Sequence, residues 1–190
     1  MRTLLIKSFT SFIAMIFVIG CGENNQQSEN TGSVNKAGNR KDVKSADSRK
    51  LEILLTEKLN DFERTILKGG KSGAGGFTIS TAEASYKRKG NQLVKIEIID
   101  TGNLTSVSTM TLAGRTMANI KKENASGYEK TTEVEGFKAF EKYDRVSKTG
   151  ILNVIVADRY LVNTESKNIS IGQLKEFLKA VNLSKLKETK

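Results

Sequence analysis

"FKAFEKYDRVSKTGILNVIVADRYLVNTES", residues 137–166, decides the fold. It holds three short runs, "FKAFEKYDR", "ILNVIVAD" and "RYLVNTES", set apart by "SKTG" and by a bend near Asp158. A fourth run, "YEKTTEVE" from Tyr128, lies upstream across Glu135-Gly136. Short runs rich in β-branched and aromatic residues, bounded by turn residues, read as strands. The stretch therefore predicts an antiparallel meander of three or four strands. "ILNVIVA" is the most apolar run and is expected at the centre.

Downstream, "SIGQLKEFLKAV" changes period. Ile171, Leu174, Phe177, Leu178 and Val181 fall on one side of a helix. Ser170 and Gln173 have the spacing of a capping box, and Ile169 with Leu174 that of a hydrophobic staple. Upstream, Thr81–Lys89 and Gln92–Asp100 predict a hairpin turning at Gly90-Asn91. In "VKIEIID", Val94, Ile96 and Ile98 take one face and Lys95 and Glu97 the other. Before the hairpin, Leu51, Leu55, Leu59, Phe62 and Ile66 recur every three or four residues, which predicts an amphipathic helix. Asp47 or Ser48 would cap it and Gly69-Gly70 would end it. "KSGAGGFTIS" then reads as a glycine-rich loop. Residues 104–120 carry a weaker helical stripe, Val107, Met110 and Met117, among many Thr and Ser. The expected class is α+β, a mainly antiparallel sheet packed against N-terminal and C-terminal helices.

The first 48 residues are different. Arg2 and Lys7 precede an uncharged apolar run, Ser11 to Gly20, which ends at Cys21, the one cysteine in 190 residues. A charged start and a short apolar run are the plan of a secretory signal. The run is too short to span a bilayer comfortably, which takes about 20 apolar residues. Val18-Ile19-Gly20-Cys21 resembles the lipobox of bacterial lipoproteins. That resemblance implies lipidation of Cys21, cleavage before it, and a membrane anchor rather than a catalytic thiol. Gly22 in the next position resembles an outer-membrane address, with the domain facing the periplasm. Residues 22–48 hold Val34, Val43 and two alanines as their apolar content, too little to fold, and read as a flexible tether. The expected organisation is 1–20 signal peptide, 21–48 lipid-anchored tether and 49–190 globular domain.

Composition narrows the chemistry. There is no histidine, no tryptophan and no proline. The lack of histidine removes serine–histidine and cysteine–histidine hydrolases and most zinc sites. Few aromatics weaken any stacking platform for sugars or single-stranded nucleic acid. Of 31 basic residues two, Arg2 and Lys7, lie in the leader, which leaves 29 against 21 acidic residues and a formal charge of +8. Nucleic acid is the reflex partner for a basic protein, but export argues against it. Anionic lipid headgroups, lipopolysaccharide or an acidic envelope protein are the available counterparts. The hairpin tip "YKRKG" offers Lys87, Arg88 and Lys89 as a candidate anionic-surface contact, expected to project together. A plain solvated surface accounts for the same residues.

"EGFKAFEKYD", "GILNVIVADRYLVN" and "LKEFLKAVNLSKL" together resemble a group of small bacterial envelope proteins, which implies a location and no activity. Gly136-x-x-Ala139-Phe140-Glu141 in a strand, followed by a meander and a last helix, is similar to the PsbP-type sandwich of photosystem II accessory proteins. That likeness implies a fold only.

Three further motifs bear on chemistry. "GGKS" at 69–72 lacks the first glycine of a phosphate loop, since Thr65 stands there, and no helix follows it. Asp158-Arg159-Tyr160 lies at a strand bend, where an ion pair or turn contact is expected because neighbouring strand residues point to opposite faces. Glu133 and Glu135 would share a strand face as paired carboxylates, beside Lys130, Lys138 and Lys142. The reading is a non-enzymatic, lipid-anchored envelope protein whose domain binds a ligand or partner, with no cofactor, no metal and no nucleic acid. The alternatives are a structural or assembly accessory subunit of an envelope complex, and a carboxylate-dependent hydrolase. A concave pocket between the sheet and the 104–120 segment would favour the ligand-binding reading, and a large exposed apolar patch the accessory role.

Overall fold

The computed structural model describes residues 44–74, 77–102 and 114–189. Cys21, the leader, most of the tether and the greater part of the 104–120 segment lie outside the described residues. A nine-stranded, wholly antiparallel sheet dominates. Helices are short and minor beside it. The α+β expectation therefore holds for the antiparallel sheet and overstates the helices.

The sheet is two meanders joined edge to edge. The first is β1 (Lys58–Leu59), β2 (Phe62–Ala74), β3 (Phe77–Arg88) and β4 (Gln92–Asp100). The second is β5 (Lys121–Asn124), β6 (Gly127–Val134), β7 (Phe137–Asp144), β8 (Thr149–Val156) and β9 (Tyr160–Lys167). β9 comes back to pair with β4, Ile96 opposite Thr164. The predicted meander is present strand for strand, with β5 added at the far edge.

Helix α1 (Ser48–Glu52) packs on β2 and β3, and α2 (Ile171–Val181) and α3 (Leu183–Glu188) pack on β8. All three cover one face of the sheet. Ala82, Ala84, Tyr86, Val94, Ile96, Ile98, Leu152, Val154 and Val162 point into that face and are buried with Leu174, Phe177 and Leu178 from α2. The capping box at Ser170 and Gln173 is formed, and Ile169 and Leu174 are both buried.

The predicted helix from Leu51 to Ile66 is corrected. It stops after Glu52, because a two-residue turn at Asn60-Asp61 folds β1 back on β2. Asn60 takes φ 54°, the left-handed backbone that Asn tolerates and a helix does not. Leu51, Leu55, Leu59 and Phe62 are nonetheless buried, and the Phe62 ring meets Phe177 edge-on at 4.9 Å. The stripe as far as Phe62 is core, carried by a helix and a hairpin rather than one helix, whereas Ile66 is 41% exposed and faces away from that core. Gly69-Gly70 ends no helix and "KSGA" is no loop: both lie in β2, paired with Phe77–Ala82 of β3. Of the 104–120 segment, residues 114–117 form one helical turn, closed by Ala118 N–H to Gly114 O at 2.9 Å. Packing begins ahead of residue 49, since Ser45 and Ala46 are buried.

Candidate ligand-binding trough

The other face of the sheet carries the odd-numbered residues of β3, β4, β8 and β9. Cross-strand register sets them in rows. One row runs Ile66, Ser85, Lys95, Glu165, Ile151, Lys142. The next runs Glu83, Glu97, Asn163, Asn153, Phe140. On the other side of the first row Leu93 stands between Lys87 and Lys167. Side chains opposite one another in a ladder have Cβ atoms about 4.5–5.5 Å apart, so each row is a continuous strip of contacts.

This face is a trough with two adjoining hollows. The larger encloses about 520 Å³, with Ile66, Leu93 and Ile151 on its floor and Lys87, Lys95 and Lys167 around it. The smaller encloses about 210 Å³ and is more polar, lined by Glu97, Lys142, Asn153 and Asn163 beside Phe140, with Arg115 from the 114–117 turn on its wall. Lys95, Ile151 and Glu165 line both. The smaller hollow thus lies between the sheet and the 114–117 turn. A small-molecule site measures about 300–1,000 Å³.

Charges in the trough are unevenly paired. Lys95 Nζ meets Glu83 Oε2 at 2.9 Å. That hydrogen bond, reinforced by the charges of Glu83, Glu97 and Glu165, raises the Lys95 pKa above its ordinary value. Asn163 donates to Glu97 Oε2 at 3.2 Å, while its own Oδ1 is buried with no hydrogen-bond partner among the described residues. A buried acceptor without a donor is costly unless something fills the need. Neither Lys87 nor Lys167 has an acidic partner within 4.0 Å among the described residues.

The sequence-predicted site residues are only partly brought together. Lys87, Arg88 and Lys89 sit at the end of β3 and its turn, as expected, but do not project as a group. Lys87 faces the trough. Arg88 turns to the other side, where it ion-pairs with Asp61, donates to Gln92 Oε1 at 2.6 Å, and stacks over the Phe62 ring at 4.8 Å. Glu133 and Glu135 are corrected: Glu133 is exposed on β6, and Glu135 is in the β6–β7 turn with φ 52°. They share no strand face.

Two carboxylates are buried, and each is alone among cations. Asp100 receives Arg159 Nε and Nη2 at 2.8 and 2.7 Å and the Ala46 N–H at 2.6 Å. This is the ion pair expected at the Asp158–Tyr160 bend. Glu141, on the helix-covered face, accepts from Tyr128 Oη at 2.6 Å and ion-pairs with Lys130 at 3.6 Å and Lys175 at 2.6 Å. No cluster of three or more metal-ligating side chains occurs among the described residues, and no helix among them is long and apolar enough to cross a membrane.

Comparison with protein families, with curated proteins and with solved structures finds no significant match to this chain.

Sequence reading missed Ile66, Leu93, Ile151 and Lys167. The alternation in "VKIEIID" already set Lys95 and Glu97 on the face away from the core. The partners that make a trough of them come from β2, β8 and β9, and only register brings those strands alongside.

Proposed function

We propose that this chain is a lipid-anchored bacterial envelope protein, anchored at Cys21, whose α+β domain binds a small ligand in the trough and catalyses no reaction. The trough on the open face of the sheet, its larger hollow adjoined by the polar-lined one beside the 114–117 turn, carries the reading. It joins an aliphatic floor to a few convergent polar groups, the usual make-up of a small-molecule site. The isolation of Asp100 and Glu141, each neutralised by basic neighbours, speaks against a carboxylate-pair hydrolase. An accessory role without ligand would call for a contiguous apolar patch. Ile53, Met117 and Val146, the most exposed large apolar residues, instead lie on separate elements.

Ligand occupancy is tested by recovering the anchored protein from its own membranes and analysing the small molecules and lipids that come with it. Wild type should carry a compound that Ile151→Trp, which fills the shared wall of both hollows, loses. Identical complements from the two would refute the trough as a ligand site. The anchor is tested by metabolic labelling with a fatty-acid analogue: wild type should take up label, and Cys21→Ala should not.

A further inference from the structure

We propose that the trough takes a single-chain anionic amphiphile, with its chain across Ile66, Leu93 and Ile151 and its headgroup between Lys87 and Lys167. This rests on the reading of the open face as a ligand site and names the class of ligand.

The floor sets the chain. Ile66, Leu93 and Ile151 come from β2, β4 and β8, so the apolar strip crosses the strands, with Ser85, Lys95 and Glu165 set in the row between Ile66 and Ile151. From β2 to β8 there are four strand spacings, at about 4.8 Å each, or roughly 19 Å. A bilayer core of about 30 Å holds two leaflets, so one acyl chain spans roughly 15 Å. The strip is long enough for one such chain.

The rim sets the headgroup. Lys87 and Lys167 flank Leu93 in the ladder, one on each side, and a shared anion between them would answer both. Lys95 is already taken by Glu83. Glu63, the ladder neighbour of Lys87 on the side away from Leu93, lies nearest to Lys58 instead, at 3.9 Å. The one carboxylate lining the larger hollow, Glu165, stands opposite Lys95 and not beside Leu93. A neutral headgroup would draw nothing from the two exposed lysines, and a cationic one would be repelled by them. A carboxylate or phosphate monoester pairs with both while the chain covers the isoleucines.

The experiment uses the full chain in isolated native membranes, photo-crosslinked with a diazirine-bearing palmitic acid and, in parallel, with the matching hexadecanol. The three floor residues fall in three different tryptic peptides, "TILK", "GNQLVK" and "TGILNVIVADR", so labelling maps directly. The acid should label these peptides, and the alcohol should label them much less. Lys87→Gln with Lys167→Gln should raise the half-saturating acid concentration roughly tenfold, with the melting temperature and alcohol labelling unchanged. Equal labelling by acid and alcohol, an unshifted midpoint in the double variant, or no label on any of the three peptides would overturn the proposal. If the acid fails while the compound recovered from membranes still depends on Ile151, the ligand class is wrong and the site stands. If both fail, the trough binds no ligand of this kind or any other.

Discussion

Arg159 closes on Asp100 through two parallel hydrogen bonds, Nε to Oδ1 and Nη2 to Oδ2, with the carboxylate fully buried. The same carboxylate takes the Ala46 and Gly102 N–H groups, and Arg159 also donates to Lys44 O at 3.2 Å. The pair thus ties the entering chain to the β4 end and the β8–β9 turn. Breaking a buried pair by removing one partner strands the other charge and costs about 3–5 kcal/mol. Arg159→Ala should lower the urea midpoint by that scale, with protease cleavage near residue 44 appearing first. An unchanged midpoint would mean that Asp100 is held well enough by the backbone N–H groups alone.

Glu141 gives the fold an acid limit. Burial raises its pKa, but hydrogen bonds from Lys175 and Tyr128 and the charges of Lys175 and Lys130 outweigh burial and hold it below the ordinary 4.5. A carboxylate with a depressed native pKa adds stability in full above the unfolded value, and loses it as pH falls through the folded one. Wild type should therefore lose stability below about pH 4.5. Glu141→Gln should be less stable at pH 7 and show a shallower acid slope, read from urea midpoints between pH 7 and 3. Parallel slopes would show that other carboxylates set the acid limit.

Helix α2 holds the sheet through Leu174, which is completely buried beside Phe177 and Leu178. Leu174→Ala should cost about 2–5 kcal/mol, the range for a core leucine. Ile53 is equally apolar but 78% exposed, so Ile53→Ala should stay within about 0.5 kcal/mol. Thermal melts of the two variants separate them, and similar losses would mean that Ile53 is covered in solution.

What could be read from sequence was what local pattern encodes. Strands β6 to β9 alternate and are punctuated by Glu135-Gly136, Lys148 and Ala157-Asp158, all with positive φ, so each could be found without knowing its neighbours. The α2 cap is equally local. The 51–66 stretch misled because Leu59 and Phe62, opposite each other across a two-residue turn, also keep the spacing of a helix. Strand β2 runs on through Gly69-Gly70 because pairing with β3 overrides poor strand propensity. The trough was out of reach, since Lys87, Leu93 and Lys167 become neighbours only when β9 pairs with β4.

The hairpin tip separates two lysines from one arginine. Arg88 is packed: it stacks on Phe62, bonds to Gln92 and ion-pairs with Asp61. The ion pair, with Asp61 more than half exposed, adds little. The cation–π contact and the buried stem add about 1 kcal/mol together. Lys87 and Lys89 carry no such contacts among the described residues and are exposed. Arg88→Ala should therefore lower stability by about 1 kcal/mol, whereas Lys87→Ala should change it by less than about 0.5 kcal/mol. Binding should order the two the other way. If the tip meets an anionic membrane, Lys87→Glu should weaken salt-sensitive co-sedimentation with anionic vesicles, and Arg88→Ala should leave it nearly intact. Loss of sedimentation on Arg88→Ala with none on Lys87→Glu would show that Arg88 leaves Phe62 to reach the membrane.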